Sequence, residues 1–328
     1  MRSTLEQLIS IHSPTGFEEK ITKCIVDIHS QQSIDTDFMG NVTIKIPNVG
    51  AKKVLVLCSI DEPSLVVNHI DSNGFIRFYP SGKLKTSDVL NAQVTFPSGI
   101  TGFVGCEKRS YSDTKMGFDN LFIDIGVMNK NRALEYVKIG DHPSFNIPTR
   151  IKDNSILGRG DCKVPASIVS SLARDIGQTQ NNLIFSFTSQ GQLGSRGSLT
   201  VINRENPDLL IHISTIDSTD TPNHNRKGKI EIGSGPVLVV EGSSVLRHHT
   251  TNQIIQDVAR SSNVPLQLAV DDEYRHDEFM MNLSQASVPM ATLSIPMRKY
   301  GCFGAISDVR DSLDACKLLI KTLRKKLF

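Results

Sequence analysis

The chain has no tryptophan, and its six cysteines form no C-x-x-C pair. Cys24, Cys58, Cys106, Cys162, Cys302 and Cys316 also lack a regular spacing. That argues against a disulfide framework and predicts free thiols in a reducing cytoplasm. No apolar run approaches the ~18 residues that a membrane helix needs. The opening M-R-S-T-L-E-Q-L-I-S has acid and polar groups where a signal peptide needs an apolar core, so a cytoplasmic chain is expected. Charge of one sign is also scarce: 36 basic and 34 acidic residues leave +2, too little for a nucleic-acid footprint. The one basic cluster, Arg324-Lys325-Lys326, ends a predicted helix, where it complements the helix dipole.

What remains is an ordinary globular composition in 328 residues, enough for one large domain or two moderate ones. Leu5, Leu8 and Ile9 repeat at helical spacing, a turn follows at Ser13-Pro14-Thr15-Gly16, and Ile21, Ile25 and Ile28 mark a second helix. Strands are predicted at 43–47 and 53–58. From about 65 to 151 the texture becomes short strands with turn signals such as D-S-N-G, with helix only at 131–138. α/β alternation then returns. A helix is expected over about 164–176, strands at 183–188, 209–214 and 236–240, and a helix near 251–261 capped by Thr250 or Thr251. A further strand, a short helix at E-F-M-M-N-L, a strand at M-A-T-L-S-I-P and a helix from about Ser307 complete the order.

Several short motifs in this order resemble one family. They include S-P-T-G-F-E-E (13–19), D-F-M-G-N-V (37–42), G-F-I-R-F (74–78), D-I-G (124–126), I-G-D (139–141), D-T-P (220–222), G-S-G-P (233–236) and S-I-P-x-R (294–298). Each is weak alone. In register, the chain resembles the cytosolic dinuclear-metal aminopeptidases, which include glutamyl, deblocking and tetrahedral enzymes. The resemblance implies an α/β fold: a mixed-sheet, phosphorylase/hydrolase-like aminopeptidase domain (1–64 and 152–328) with an inserted small β-barrel (65–151) used for oligomerisation.

That chemistry needs two divalent metals about 3.5–4 Å apart and a separate glutamate as general base. The resemblance maps these roles onto altered residues. In Cys58-Ser59-Ile60-Asp61-Glu62, Ser59 stands for a histidine ligand, while Asp61 keeps the place of the acid that orients it. In G-R-G-D-C-K (158–163), Asp161 takes the bridging place and Lys163 stands for an arginine, with one residue missing from the pattern. Against Q-E-E-x-G-x-R-G, the base position is Gly191 and the next ligand position is Gln192. His212 stands for a ligand aspartate. Against P-x-R-Y-x-H, the stretch Pro296-Met297-Arg298-Lys299-Tyr300-Gly301 puts Gly301 at the last histidine. Asp277 and Arg298 keep substrate-side places.

A glycine cannot move a proton, and a hydroxyl or an amide is a poor ligand for such metals. Without a metal, water keeps a pKa near 15.7, against about 7 on catalytic zinc. The expectation is therefore a family member that has lost metal-dependent peptidase activity, with no cofactor. Its role would be structural, regulatory or ligand-binding. Its partners would be copies of itself, from dimer to dodecamer, an active paralogue, or a peptide. The alternative is an active aminopeptidase with a reduced zinc, cobalt or manganese site on Asp161 and His212, aided by Gln192. A third option joins Cys58, Cys162 and Cys302 with His212 as a soft-metal or thiol site, although apolar packing explains those cysteines more simply. His276 and Glu278 read as a solvated helix start, and Arg247-His248-His249 as surface. The glycines of G-Q-L-G-S-R-G match the family turn and need no nucleotide.

Overall fold

The computed structural model describes residues 1–107, 116–222, 229–242, 247–271, 276–282, 288–301 and 304–327. They form two compact units. The first holds Met1–Asp61, Thr149–Lys299 and Ala305–Phe328; the second holds Glu62–Pro148 and Tyr300–Gly304.

The first unit is built on a mixed sheet. Its main path runs Ile34–Thr36, Val42–Ile46, Asn182–Thr188, Lys53–Ser59, Leu209–Asp217, Met290–Lys299, Ala305–Asp308, Ser155–Gly158, Arg150–Lys152. Val237–Gly242 branches off Met290–Lys299 and carries Gln267–Asp271. The central pairs are parallel, Asn182–Thr188 with Lys53–Ser59 and then Leu209–Asp217 with Met290–Lys299. Central parallel strands are covered on both faces, so their sequences are continuous apolar runs rather than alternations. V-L-V-L-C, buried from Val54 to Cys58, is such a run.

One face carries Val54, Val56, Cys58, Ile211, Ile213 and Leu293, under the helices Gly160–Asp175 and Val309–Arg324. The opposite face carries Leu55, Leu57, Leu210 and Met290, with Val201 and Ile202 of helix Arg196–Glu205. Fully burying a side chain of this size contributes about 1.5–3 kcal/mol, which is why the central strands fix the frame.

The second unit is a curled six-stranded antiparallel sheet in the order Ser64–Ile70, Ile76–Ser81, Leu121–Asp124, Thr101–Cys106, Gln93–Thr95, Ser144–Phe145. Leu65, Val67, Ile76, Phe78, Val94, Val104 and Ile123 form its own core. The D-S-N-G hairpin works through its acid: Asp71 Oδ1 accepts the N–H of Asn73 (2.9 Å) and of Phe75 (3.0 Å). Gly74 turns at φ +91°, and a Cβ there would lie 2.9 Å from Val127.

Several boundaries differ from the sequence expectation, three of them in helices that carry or flank named residues. The helix expected from 164 begins at Gly160, so Asp161 lies in its first turn. The helix expected near 251 begins at His249, with His248 in the N-cap position and no side-chain cap bond. Thr250 and Thr251 lie inside the first turn, where Thr251 Oγ1 meets His248 Nδ1 at 2.7 Å. The helix expected at 131–138 is the shorter Lys130–Leu134, capped by Asn129.

Candidate functional site

Lys53–Ser59 and Asn182–Thr188 end level with each other, with Ser59 beside Thr188. The loops that follow carry Asp61 and Gly191. Asp61 is 1% exposed. Its Oδ1 accepts the Gly191 N–H (2.8 Å), and its Oδ2 accepts the Gln192 N–H (2.9 Å) and the Thr15 hydroxyl (2.9 Å). Burial raises its pKa, and these hydrogen bonds oppose the rise. Asp61 is thus a structural acceptor that holds the 191–192 turn.

Glu18 does the same one residue earlier. Its Oε1 accepts the N–H of Gly16 and of Gln190, each at 2.9 Å. Gln190 is held in the left-handed region at φ +51°, a cost that two buried carboxylates offset. Burial raises the Glu18 pKa, its backbone hydrogen bonds lower it, and the Asp61 charge adds a smaller upward push.

At Gly191 a Cβ would press on Ser59 Oγ and lie 2.8 Å from Asp61 Oδ1. The space for a side chain at residue 191 is therefore occupied. At Gly301, in the second unit, φ is +56° and a Cβ would sit 2.9 Å from the Asp88 Cα. A histidine at 301 meets backbone strain and a backbone wall together.

Asp161 and His212 both have partners within the chain. Asp161 Oδ1 accepts the Thr215 hydroxyl at 2.8 Å and lies 3.0 Å from Lys299 Nζ. His212 sits in mid-strand, paired with Leu57 on one side and Thr292 on the other. It stands two residues short of the level of Ser59, roughly 6–7 Å along a strand. Extending the register puts Ser214 level with Ser59, and Ser214 Oγ meets Ser294 Oγ at 2.8 Å. His212 Nδ1 is 2.9 Å from Glu278 Oε1, and Arg247 Nη2 donates to Glu278 Oε2.

Two sequence expectations are overturned here. Glu278 is 1% exposed and Arg247 8%, so neither is a solvated surface group. An isolated buried charge is too costly, and the pair resolves it by mutual neutralisation.

Arg298 grips Asp220 with a fork, Nε to Oδ1 at 3.0 Å and Nη2 to Oδ2 at 2.7 Å. Burial would raise the Asp220 pKa, but the Arg298 and Ser218 hydrogen bonds outweigh it and bring it to about 2. Cys58 is fully buried, and desolvation raises its thiol pKa well above the ordinary value, with Cys162 adding to the rise. It is a packing group. The side chains of His276 and Asp277, and all of Cys302, lie outside the described residues.

Sequence reasoning missed Glu18, Arg247, Glu278 and Lys299 as participants. Lys299 stood in plain view at the tyrosine of P-x-R-Y-x-H, but nothing local shows where its stem reaches.

A model of the M42 glutamyl aminopeptidases matches residues 40–318. The chain belongs to that family. A lysyl aminopeptidase of Pyrococcus furiosus is 26% identical, with 94% of this chain and 91% of that one covered. A TET aminopeptidase from a marine-sediment Thaumarchaeota archaeon superposes with a TM-score of 0.92 at 21% identity, over 99% and 96% of the two chains. The Pyrococcus horikoshii TET1 peptidase, which can assemble into a tetrahedron or a large octahedral shell, gives 0.83 at 21% identity, over 99% of each chain.

The family's two metals can be tested against these donors. Ser59, Gly191, Gln192 and Gly301 supply no carboxylate or imidazole, and Asp161 and His212 face partners of their own. Among the described residues no group of three or more His, Cys, Asp or Glu side chains could hold a metal ion. The donor set does not fit a two-metal centre.

Proposed function

We propose that this chain is an M42-family protein without metal-dependent peptidase activity, acting as a structural, regulatory or ligand-binding member of the family. One observation carries the reading: the space at the base position is filled by Ser59 and Asp61. A site that had merely lost ligands would leave a hollow. Here Asp61 accepts the N–H groups of Gly191 and Gln192 and so holds that turn.

The partners under this reading are further copies of the chain, an active paralogue in a mixed shell, or a peptide in the old cleft. Support for self-assembly comes from the TET relatives that share the fold. The 65–151 insertion, which has its own core, is the proposed oligomerisation element. The cytoplasm is the proposed compartment. No described helix is long and apolar enough to cross a membrane.

The deciding experiment is metal analysis of protein dialysed against Zn²⁺, Co²⁺ or Mn²⁺, with lysyl, leucyl and glutamyl p-nitroanilides as reporters. The expected result is no stoichiometric metal pair and no chelator-sensitive turnover. Turnover that EDTA abolishes and metal restores overturns the reading.

A further inference from the structure

The strands Leu209–Asp217 and Met290–Lys299 run parallel and finish side by side, with Asp217 level with Met297. Lys299, two residues on, reaches back over this edge. Its Nζ lies 3.3 Å from Asp217 Oδ1 and 3.0 Å from Asp161 Oδ1. The Thr215 hydroxyl closes the group by donating to the same Asp161 oxygen at 2.8 Å. Two carboxylates from a helix start and a strand end thus share one ammonium.

We propose that Lys299 is a tethered cation that stands in for a divalent ion at Asp161 and excludes metal from this edge. The proposal rests on the reading of the chain as a non-metallopeptidase and adds the device that keeps it so. Hard divalent ions take carboxylate oxygens at about 2.0–2.6 Å. An ion held by either Oδ1 atom would compete with the ammonium for the same carboxylate oxygens. Coulomb repulsion acts in the same direction. A +1 charge a few ångströms from a +2 ion opposes binding even at high dielectric. The lysine is also always available, since its effective concentration does not depend on the metal level of the surroundings.

The arrangement differs from an ordinary surface ion pair in its convergence. Lys299 and Asp161 belong to elements that are far apart in sequence, and Lys299 occupies the tyrosine place of the P-x-R-Y-x-H pattern. The lysine therefore enters with the same motif that has lost its histidine at Gly301.

The test compares the wild type with Lys299→Met, Lys299→Ala, Lys299→Arg and the double variant Lys299→Met/Asp161→Asn. Mn²⁺ is the probe, read from loss of the free-ion EPR signal, and circular dichroism checks the fold. Lys299→Met keeps most of the stem, and the side chain is one-third exposed, so folding is expected to survive. The expected result is weak or no Mn²⁺ binding by the wild type and by Lys299→Arg. Lys299→Met and Lys299→Ala should gain about one equivalent, with affinity about tenfold or more above the wild type. Asp161→Asn in the Met background should remove the gain. If the folded Met and Ala variants bind Mn²⁺ no better than the wild type, this proposal is overturned while the non-peptidase reading stands. If the wild type turns over aminoacyl reporters with metal, the reading itself falls, and that assay is independent of the EPR titration.

Discussion

The Asp61 carboxylate accepts the Gly191 N–H at 2.8 Å, and the same carboxylate lies 2.8 Å from where a Cβ on Gly191 would be. The bond and the missing side chain therefore depend on each other. A glutamate at 191, the residue that the resemblance expects there, would have no space for its side chain. Gly191→Glu is expected to destabilise the fold by about 1–3 kcal/mol through overpacking against Ser59 and Asp61, and to give no peptidase activity. Urea melts and the p-nitroanilide assay check both parts. Adding Ser59→Gly should recover part of the lost stability, because Ser59 is the nearest obstacle.

Asp61 itself gives a second prediction. Asp61→Ala removes the carboxylate that the N–H groups of Gly191 and Gln192 and the Thr15 hydroxyl donate to, Gln192 being half-buried and the other two buried. A cost of about 2–4 kcal/mol is expected from the desolvation of these groups. Hydrogen exchange at 190–193 should rise first, since that turn loses its clamp. A melt indistinguishable from wild type would refute the clamp.

Some of this was legible in the sequence. The run V-L-V-L-C reads as a buried strand, and Lys53–Ser59 is one, because local hydrophobic pattern determines such a strand. The start of helix Gly160–Asp175 was less legible, since two glycines around Arg159 resemble a loop and only tertiary packing winds Gly160 and Asp161 into the first turn. Arg247 and Glu278 were illegible for a different reason. Charged residues look exposed until a partner is known, and here the partners are 31 and 66 residues apart in the chain. Lys299 shows the same limit: a flexible stem reaches a carboxylate that no spacing rule connects to it.

Asp311 sets a pH dependence. It is fully buried and accepts the N–H groups of Gly233 (2.7 Å) and Gly235 (2.8 Å). Burial raises its pKa to about 6 despite those bonds. Its unfolded value is about 3.9. A raised folded pKa means the favourable contribution is complete below about pH 4 and is lost as pH rises through about 6. Between pH 6 and 4 the folded chain therefore holds up to one more proton at this group than the unfolded chain. Asp311→Asn should remove this contribution, flattening the change in urea midpoint over that window. It should also cost about 1–3 kcal/mol, since the amide NH2 would replace one of the two oxygens that accept the glycine N–H groups.

The Arg298–Asp220 fork has the opposite sign. With the Asp220 pKa lowered to about 2, its contribution is present above about pH 4 and is lost as pH falls toward 2. Arg298→Lys keeps the charge but removes the two-bond geometry. Carbon-13 titration of the Asp220 carboxyl should show its pKa moving up toward the ordinary value. An unmoved titration would mean that Ser218 and the Ile232 N–H, not the fork, hold it down.

Glu278 offers the sharpest separation between a neutralised pair and a simple polar contact. It lies between Arg247 and His212, with both side-chain oxygens engaged and almost no exposure. Among the described residues Arg247 Nε and Nη1 are buried and make no hydrogen bond, so Glu278 is the carboxylate that balances the guanidinium there. Glu278→Ala should cost about 3–5 kcal/mol, because it leaves a buried positive charge uncompensated. Glu278→Gln keeps the shape and one acceptor but also removes the charge, so it should cost nearly as much. Arg247→Met/Glu278→Leu removes both charges and should recover much of the loss. Chemical denaturation of the two single variants and the double variant gives the coupling directly. Additive costs with no recovery in the double variant would show that the two residues contribute through packing alone.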